Sequence, residues 1–288
     1  MIGAAAEIVV PLKFQGEGEN PVTITAGFRV DDGILLCADT MYTGGMKFYE
    51  TKIFKTEIKG GTVAFVLAGS QDYGLMAIQN CQKALLKSGP KLRSMDDIQD
   101  LISSTLMLLF KQHTEMQPED QVELIIGAWT KSDGLRLLST RKAAVVARPQ
   151  YECKGSGSYL ARYLIDSAYQ PAMTLQNVII LAMQVLTAVK SYDEYCGGAS
   201  ELIVLDASGS LSPVAHDEIS ISEKYISAYE KYARRLMFDF ASPQMKDEDF
   251  LKRLDSFVET MKVGRDGWKE ATRESRAIDM VLKELGLT

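Results

Sequence analysis

The chain has 288 residues, 46% hydrophobic and 24% charged, which is the composition of an ordinary globular protein able to bury a full core. Its 38 acidic and 32 basic residues leave a formal charge of -6, so no global positive field exists to condense on phosphate backbones or anionic lipid. Neither nucleic acid nor a membrane is expected as a partner.

Four cysteines without CxxC spacing, mostly inside apolar runs, predict reduced thiols and a cytoplasmic protein. The amino terminus has no basic stretch ahead of its apolar residues, and no apolar run approaches bilayer length. Only two histidines occur, His113 and His216, each in polar surroundings. That argues against a metal site, a cofactor and Ser-His-Asp chemistry, so any hydrolase built on this chain needs another general base.

From Val22 to Ala38 two β-rich runs are joined by the Asp31-Asp32-Gly33 turn. A second pair, KIFKTEI and TVAFVLAG, flanks Lys59-Gly60-Gly61. Residues 71–89 and 94–116 carry apolar positions at helical spacing, the second segment opening on Ser94 as N-cap. Strands return in ELIIGAWT, LRLLST and AAVVARPQYECKG. After GSGS, helices are predicted over SYLARYLIDSAY and LQNVIILAMQVLTAVKSYDEY, then the strand ELIVLDA, which ends at the Ser208-Gly209 turn. Runs of strands followed by pairs of helices predict an α+β fold, a four-layer αββα sandwich of two antiparallel sheets flanked by helices. Beyond Val214 the chain turns charged and helical in three segments, punctuated by Ala241-Ser242-Pro243 and by Gly264 to Gly267. The expected organisation is a segment 1–22, a main domain 23–213 and a helical extension 214–288.

At TITAGFRVDDGILLCADTMYTGG the chain resembles the β-subunits of proteasomes of bacterial or archaeal type, which belong to the N-terminal-nucleophile hydrolases. Thr23, Gly27, Asp32-Gly33 and Asp39 stand at the family's intervals, and Thr43 with Gly45 matches its T-x-G beside the substrate groove. Ala68-Gly69, the turn GSGS with Ser156, and Asp193, Cys196 and Gly197-Gly198 in YDEYCGG follow in the family's order. The resemblance runs from about Thr23 to Pro213. Proteasome α-subunits share the fold but generally lack the nucleophile and the aspartate, so Thr23 with Asp39 favours the β kind.

The resemblance implies a set of roles. Thr23 is the nucleophile, its own α-amine serving as base once residue 23 becomes residue one. Asp39 partners a lysine whose charge lowers the hydroxyl's pKa. Lys52 is preferred for that lysine because, in TKIF, it resembles the family's lysine followed by an apolar residue at the start of the third strand, while Lys55 keeps the ungapped spacing between Asp39 and Gly69; their odd separation in a strand lets only one face Thr23. Gly69 offers an amide to the oxyanion, and Ser156 and Asp193 surround the amine. Cys196 replaces the family's serine, so a hydroxyl donor becomes a weak thiol. Taken singly, these residues also fit blander roles: a strand threonine, a strand-ending glycine, a turn serine and a helix-end aspartate.

Self-processing members of the family usually carry glycine before the threonine, whereas Val22 stands here after Pro21, and a β-branched residue resists the turn that cleavage needs. Three readings follow. The first is a threonine peptidase acting on peptides or unfolded protein in a self-assembled ring, with an ATPase regulator as the implied partner. The second is an unprocessed, inactive structural subunit, and the third a small-molecule amide hydrolase on the same fold.

Overall fold

The structure is a computed structural model that describes residues 23–44, 46–89, 92, 94–116 and 121–284. The turn expected at Asp31-Asp32-Gly33 closes the first hairpin on Asp31 and Asp32, with Gly33 already the first residue of β2 (Gly33–Asp39), which pairs with β1 (Thr25–Val30) so that Val30 faces Gly33 and Thr25 faces Ala38. In the second hairpin β5 (Ile53–Ile58) meets β6 (Gly61–Gly69) across Lys59-Gly60. Between these lies a ribbon the sequence pattern did not reveal, β3 (Met41–Gly44) with β4 (Met46–Tyr49). Four-residue strands are too short to display a two-residue period.

The helices α1 (Gln71–Ser88) and α2 (Met95–Gln112) follow. A capping box starts α2, the Ser94 hydroxyl accepting from the Asp97 amide and the Asp97 carboxylate accepting from the Ser94 amide. Next come β7 (Val122–Thr130) and β8 (Gly134–Arg141). The run expected as one strand over residues 143–155 is two, β9 (Ala144–Arg148) and β10 (Tyr151–Lys154), which belong to different sheets. Pro149 has no amide to continue a ladder, and the chain crosses there from one sheet to the other. After α3 (Ser158–Ala168) and α4 (Leu175–Tyr192), β11 (Ser200–Asp206) returns through a short β12 (Leu211–Pro213).

One sheet runs in the order β10-β1-β2-β11-β12 and the other β5-β6-β7-β8-β9, every pairing antiparallel. Alternation along the strands builds three apolar layers. On β2, Ile34, Leu36 and Ala38 meet Ala64, Val66, Ile125 and Leu137 between the sheets, while Leu35 and Cys37 turn toward α3 and α4. On β6, Val63, Phe65 and Leu67 pack under α1 and α2. The result is the expected αββα sandwich. Gly27 lies where the sheets press closest: a Cβ there would stand 2.7 Å from Ile125 Cγ2 and 2.9 Å from Leu137 Cδ1.

The extension holds two helices, α5 (His216–Ala241) and α6 (Asp247–Glu284), rather than the three segments expected. The Ala241-Ser242-Pro243 break is real, but α6 runs straight through Gly264 to Gly267. Those glycines serve an approach between helices: a Cβ on Gly267 would lie 2.5 Å from the Tyr225 hydroxyl, and Trp268 Nε1 donates to Ser222 Oγ at 2.9 Å. Among the described residues no helix is long and apolar enough to cross a membrane.

Candidate active site

Three strands, β1, β2 and β5, begin or end at one edge of the sandwich and bring Thr23, Asp39 and Lys52 together. Thr23 leads into β1, Asp39 closes β2, and Lys52 stands one residue ahead of β5. The amide of Asp39 donates to the Ile24 carbonyl at 3.1 Å, and the Leu67 amide on β6 donates to the Lys52 carbonyl at 2.9 Å, so ladder bonds fix the backbone beneath each side chain. Asp39 and Lys52 are wholly buried and Thr23 is 2% exposed.

The Thr23 hydroxyl donates to Asp39 Oδ1 at 2.5 Å and accepts from the Lys52 ammonium. Lys52 Nζ also donates to Asp39 Oδ1 at 2.7 Å and to the Met41 carbonyl at 2.5 Å, which occupies its three protons. The Tyr42 ring lies 4.6 Å from the same nitrogen, adding a cation–π contact. Asp39 is equally well filled: Oδ1 accepts the Ile24 amide at 3.1 Å and Oδ2 the Gly197 amide at 2.8 Å. Burying an ion pair costs heavily unless every polar atom finds a partner, and here each does. Burial nonetheless drives the Lys52 ammonium below the ordinary lysine value of 10.5, with Asp39 pulling back the other way.

Lys55 is exposed within β5, opposite Ala64, as the strand period requires once Lys52 faces inward. Ser156, Asp193 and Cys196 form a second cluster. Ser156 Oγ donates to Asp193 Oδ2 at 2.8 Å, Cys196 Sγ lies 3.4 Å from the same oxygen, and Sγ stands 3.7 Å from Ser156 Oγ. Burial and the neighbouring Asp39 and Asp193 carboxylates push the Cys196 thiol well up, so it stays protonated and can donate only weakly. Backbone joins the clusters: the Gly157 amide reaches the Thr23 carbonyl at 3.3 Å, as the Gly197 amide reaches Asp39. Gly155, at φ +95°, sits against that carbonyl so closely that a Cβ would lie 2.1 Å from its oxygen.

Gly69 ends β6 opposite Val122 at φ +101°, two residues past the amide that holds Lys52. Thr43 lies in β3, while Gly45 and Val22 fall outside the described residues. Sequence reasoning missed the Met41 carbonyl and the Tyr42 ring. A carbonyl carries no residue signature; Tyr42, next to the Thr43 motif, was within reach as an apolar side chain near a lysine.

The family model described as Proteasome subunit matches residues 22–205. Proteasome subunit beta 2 of Pyrobaculum calidifontis is 24% identical over 206 residues, spanning 67% of this chain and 94% of its own. Proteasome subunit beta of Methanococcus aeolicus is 27% identical over 190 residues, 65% of this chain and 85% of its own. Among solved structures, Anbu (ancestral beta-subunit) from Yersinia bercovieri superposes with a TM-score of 0.65 at 15% identity over 78% of this chain and all of its own. The helical assembly of the Anbu complex from Pseudomonas aeruginosa gives 0.64 at 13% identity over 78% of this chain and 99% of its own.

Proposed function

The chain belongs to the proteasome subunit family, of the β-like kind, and from that we propose a threonine-type peptidase subunit with Thr23 as its nucleophile. The observation that carries the reading is the Thr23 hydroxyl bonded at once to the buried Lys52 ammonium and the Asp39 carboxylate. A positive charge against the oxygen stabilises the alkoxide that forms on attack, and Asp39 keeps that charge oriented. With residues 1–22 removed, the α-amine of Thr23 takes the hydroxyl proton as the oxygen bonds to the peptide carbonyl. The same proton leaves with the departing amine, and water then cleaves the ester, restoring the hydroxyl. Residues 23–213 constitute the catalytic unit in this reading, with α5 and α6 appended to it.

The subunit acts within an assembly of its own copies, on extended peptide. The Anbu complex of Pseudomonas aeruginosa forms a helical assembly, which supports self-association here. Purified chain is expected to elute as a multi-subunit particle, to contain material beginning at Thr23, and to hydrolyse fluorogenic peptide amides in a way lost on Thr23→Ala. A full-length, inert chain would overturn the peptidase reading and leave the structural-subunit reading, which Val22 before the nucleophile favours. Val22→Gly then separates a competent site blocked at processing from an incompetent one: processing and activity that appear only in the variant mean the former.

A further inference from the structure

We infer that Glu223 on α5 is a positioning residue for the Thr23 site, holding through Lys190 and Ser200 the 196–199 loop whose Gly197 amide fixes Asp39. Its consequence for catalysis rests on the peptidase reading; the positioning itself does not.

The loop is zipped onto the end of β2. Gly197 donates to Asp39 Oδ2 at 2.8 Å, Met41 donates to the Gly197 carbonyl at 3.1 Å, Thr40 donates to the Ala199 carbonyl at 3.0 Å, and Ala199 donates to Thr40 Oγ1 at 2.9 Å. Behind the loop stands Lys190, in the last turn of α4. Its ammonium donates to the Gly198 carbonyl at 3.3 Å, to Ser200 Oγ at 2.8 Å and to Glu223 Oε1 at 2.8 Å. Ser200, the strand partner of Asp39, donates to the same Glu223 oxygen at 2.5 Å.

Glu223 is thus the point where α5 grips the loop, through Lys190 at the Gly198 carbonyl and directly at Ser200, which follows it. Lys190 forms no other ion pair among the described residues, and its side chain is only 14% exposed, so water competes poorly for the ammonium. Without the carboxylate the ammonium loses its counter-charge and the reason to stay folded over Gly198. Glu223 lies beyond residue 205, where the family match ends, so the matched region does not supply this carboxylate.

Hydrogen exchange on the full chain reads the loop directly, at the Gly197 amide. Glu223→Ala is expected to raise its exchange roughly tenfold or more, the loss typical of a bond to a charged group. Glu223→Gln, whose amide oxygen still accepts from Lys190 and Ser200, should restore most of the protection. Glu230→Ala cuts a different α4–α5 bond, Gln184 Nε2 to Glu230 Oε1 at 3.0 Å, and should leave Gly197 at its original rate. If Glu223→Ala does not fold, Lys190→Gln breaks the same clamp from α4 and carries the same expectation. Unchanged Gly197 exchange, or an equal rise in Glu230→Ala, overturns the assignment. In active material Glu223→Ala should lower kcat with KM unchanged; an inert parent chain would sink the peptidase reading while the exchange result stands.

Discussion

Lys52 Nζ lies 2.7 Å from Asp39 Oδ1, and neither side chain is exposed to solvent. Each charge owes its tolerance of burial to the other. Lys52→Met leaves a buried carboxylate without its counter-ion and should cost about 3–5 kcal/mol of stability. Adding Asp39→Asn removes the uncompensated charge and should recover part of that loss, the remainder reflecting an amide nitrogen set against the Ile24 or Gly197 backbone N–H. Urea denaturation of the two single variants and the double variant measures the coupling; losses that simply add would show that the pair does not act as a unit.

A pH dependence follows from the same pair. Burial holds the Lys52 ammonium below the ordinary value of 10.5, so between the folded and unfolded values the unfolded chain binds a proton that the native chain lacks. Stability due to this group therefore rises with pH across that window and is lost as pH falls through the folded value. Denaturation midpoints, compared between the parent and Lys52→Met over the alkaline range, isolate the increment, which should vanish in the variant. Thr23 reactivity toward a threonine-directed electrophile should decline as pH rises through the folded Lys52 value, which lies below 10.5, because the charge beside the hydroxyl disappears there.

Two glycines separate support of the fold from support of the site. Gly27→Ala forces a methyl between the sheets, 2.7 Å from Ile125 Cγ2, and should cost about 1–3 kcal/mol with Thr23 reactivity retained. Gly155→Ala places a methyl 2.1 Å from the Thr23 carbonyl oxygen at a φ of +95°, so it should displace Thr23 and abolish reactivity in whatever fraction folds. Denaturation midpoints and electrophile labelling rates, measured together, separate the two outcomes.

The hairpin turns and the four helices of the sandwich were legible in the sequence because each rests on local spacing, whereas the meeting of Thr23 with Asp39 was implied only by the family resemblance, spacing alone leaving Thr23 an ordinary strand residue. Choosing Lys52 over Lys55 rested on the resemblance of TKIF to the family's lysine, since the strand period says only that one of the two can face Thr23; in the structure Lys52 is buried against the Thr23 hydroxyl and Lys55 is exposed. The β3–β4 ribbon was too short to show its period, and the split between β9 and β10 depends on which sheet each half can pair with. Gly264 and Gly267 misled for a related reason: alone they read as a helix break, whereas beside Tyr225 they permit close helix packing. The grip of Glu223 on Lys190 joins residues 33 positions apart and left no local trace.

Cys196 offers the finest adjustment of the site. Its sulfur stands 3.4 Å from Asp193 Oδ2 and 3.7 Å from Ser156 Oγ, and its burial-raised pKa keeps it a thiol, so it contributes weak donation to a carboxylate that Ser156 and the Tyr195 amide also bind. Cys196→Ser supplies a stronger and smaller donor at the position where the family carries serine. The smaller oxygen is accommodated without overpacking on the side facing Gly157, where a Cβ added to the glycine would stand 3.1 Å from the sulfur. Stability should change by less than about 1 kcal/mol, because one hydrogen bond improves while a buried apolar contact weakens. If Ser156 and Asp193 organise the amine of a processed Thr23, kcat/KM on peptide amides should rise roughly threefold, as expected for one strengthened hydrogen bond in the site. A variant of unchanged kcat/KM would place the 193–196 turn outside the catalytic network and leave the Thr23, Asp39 and Lys52 cluster to act alone.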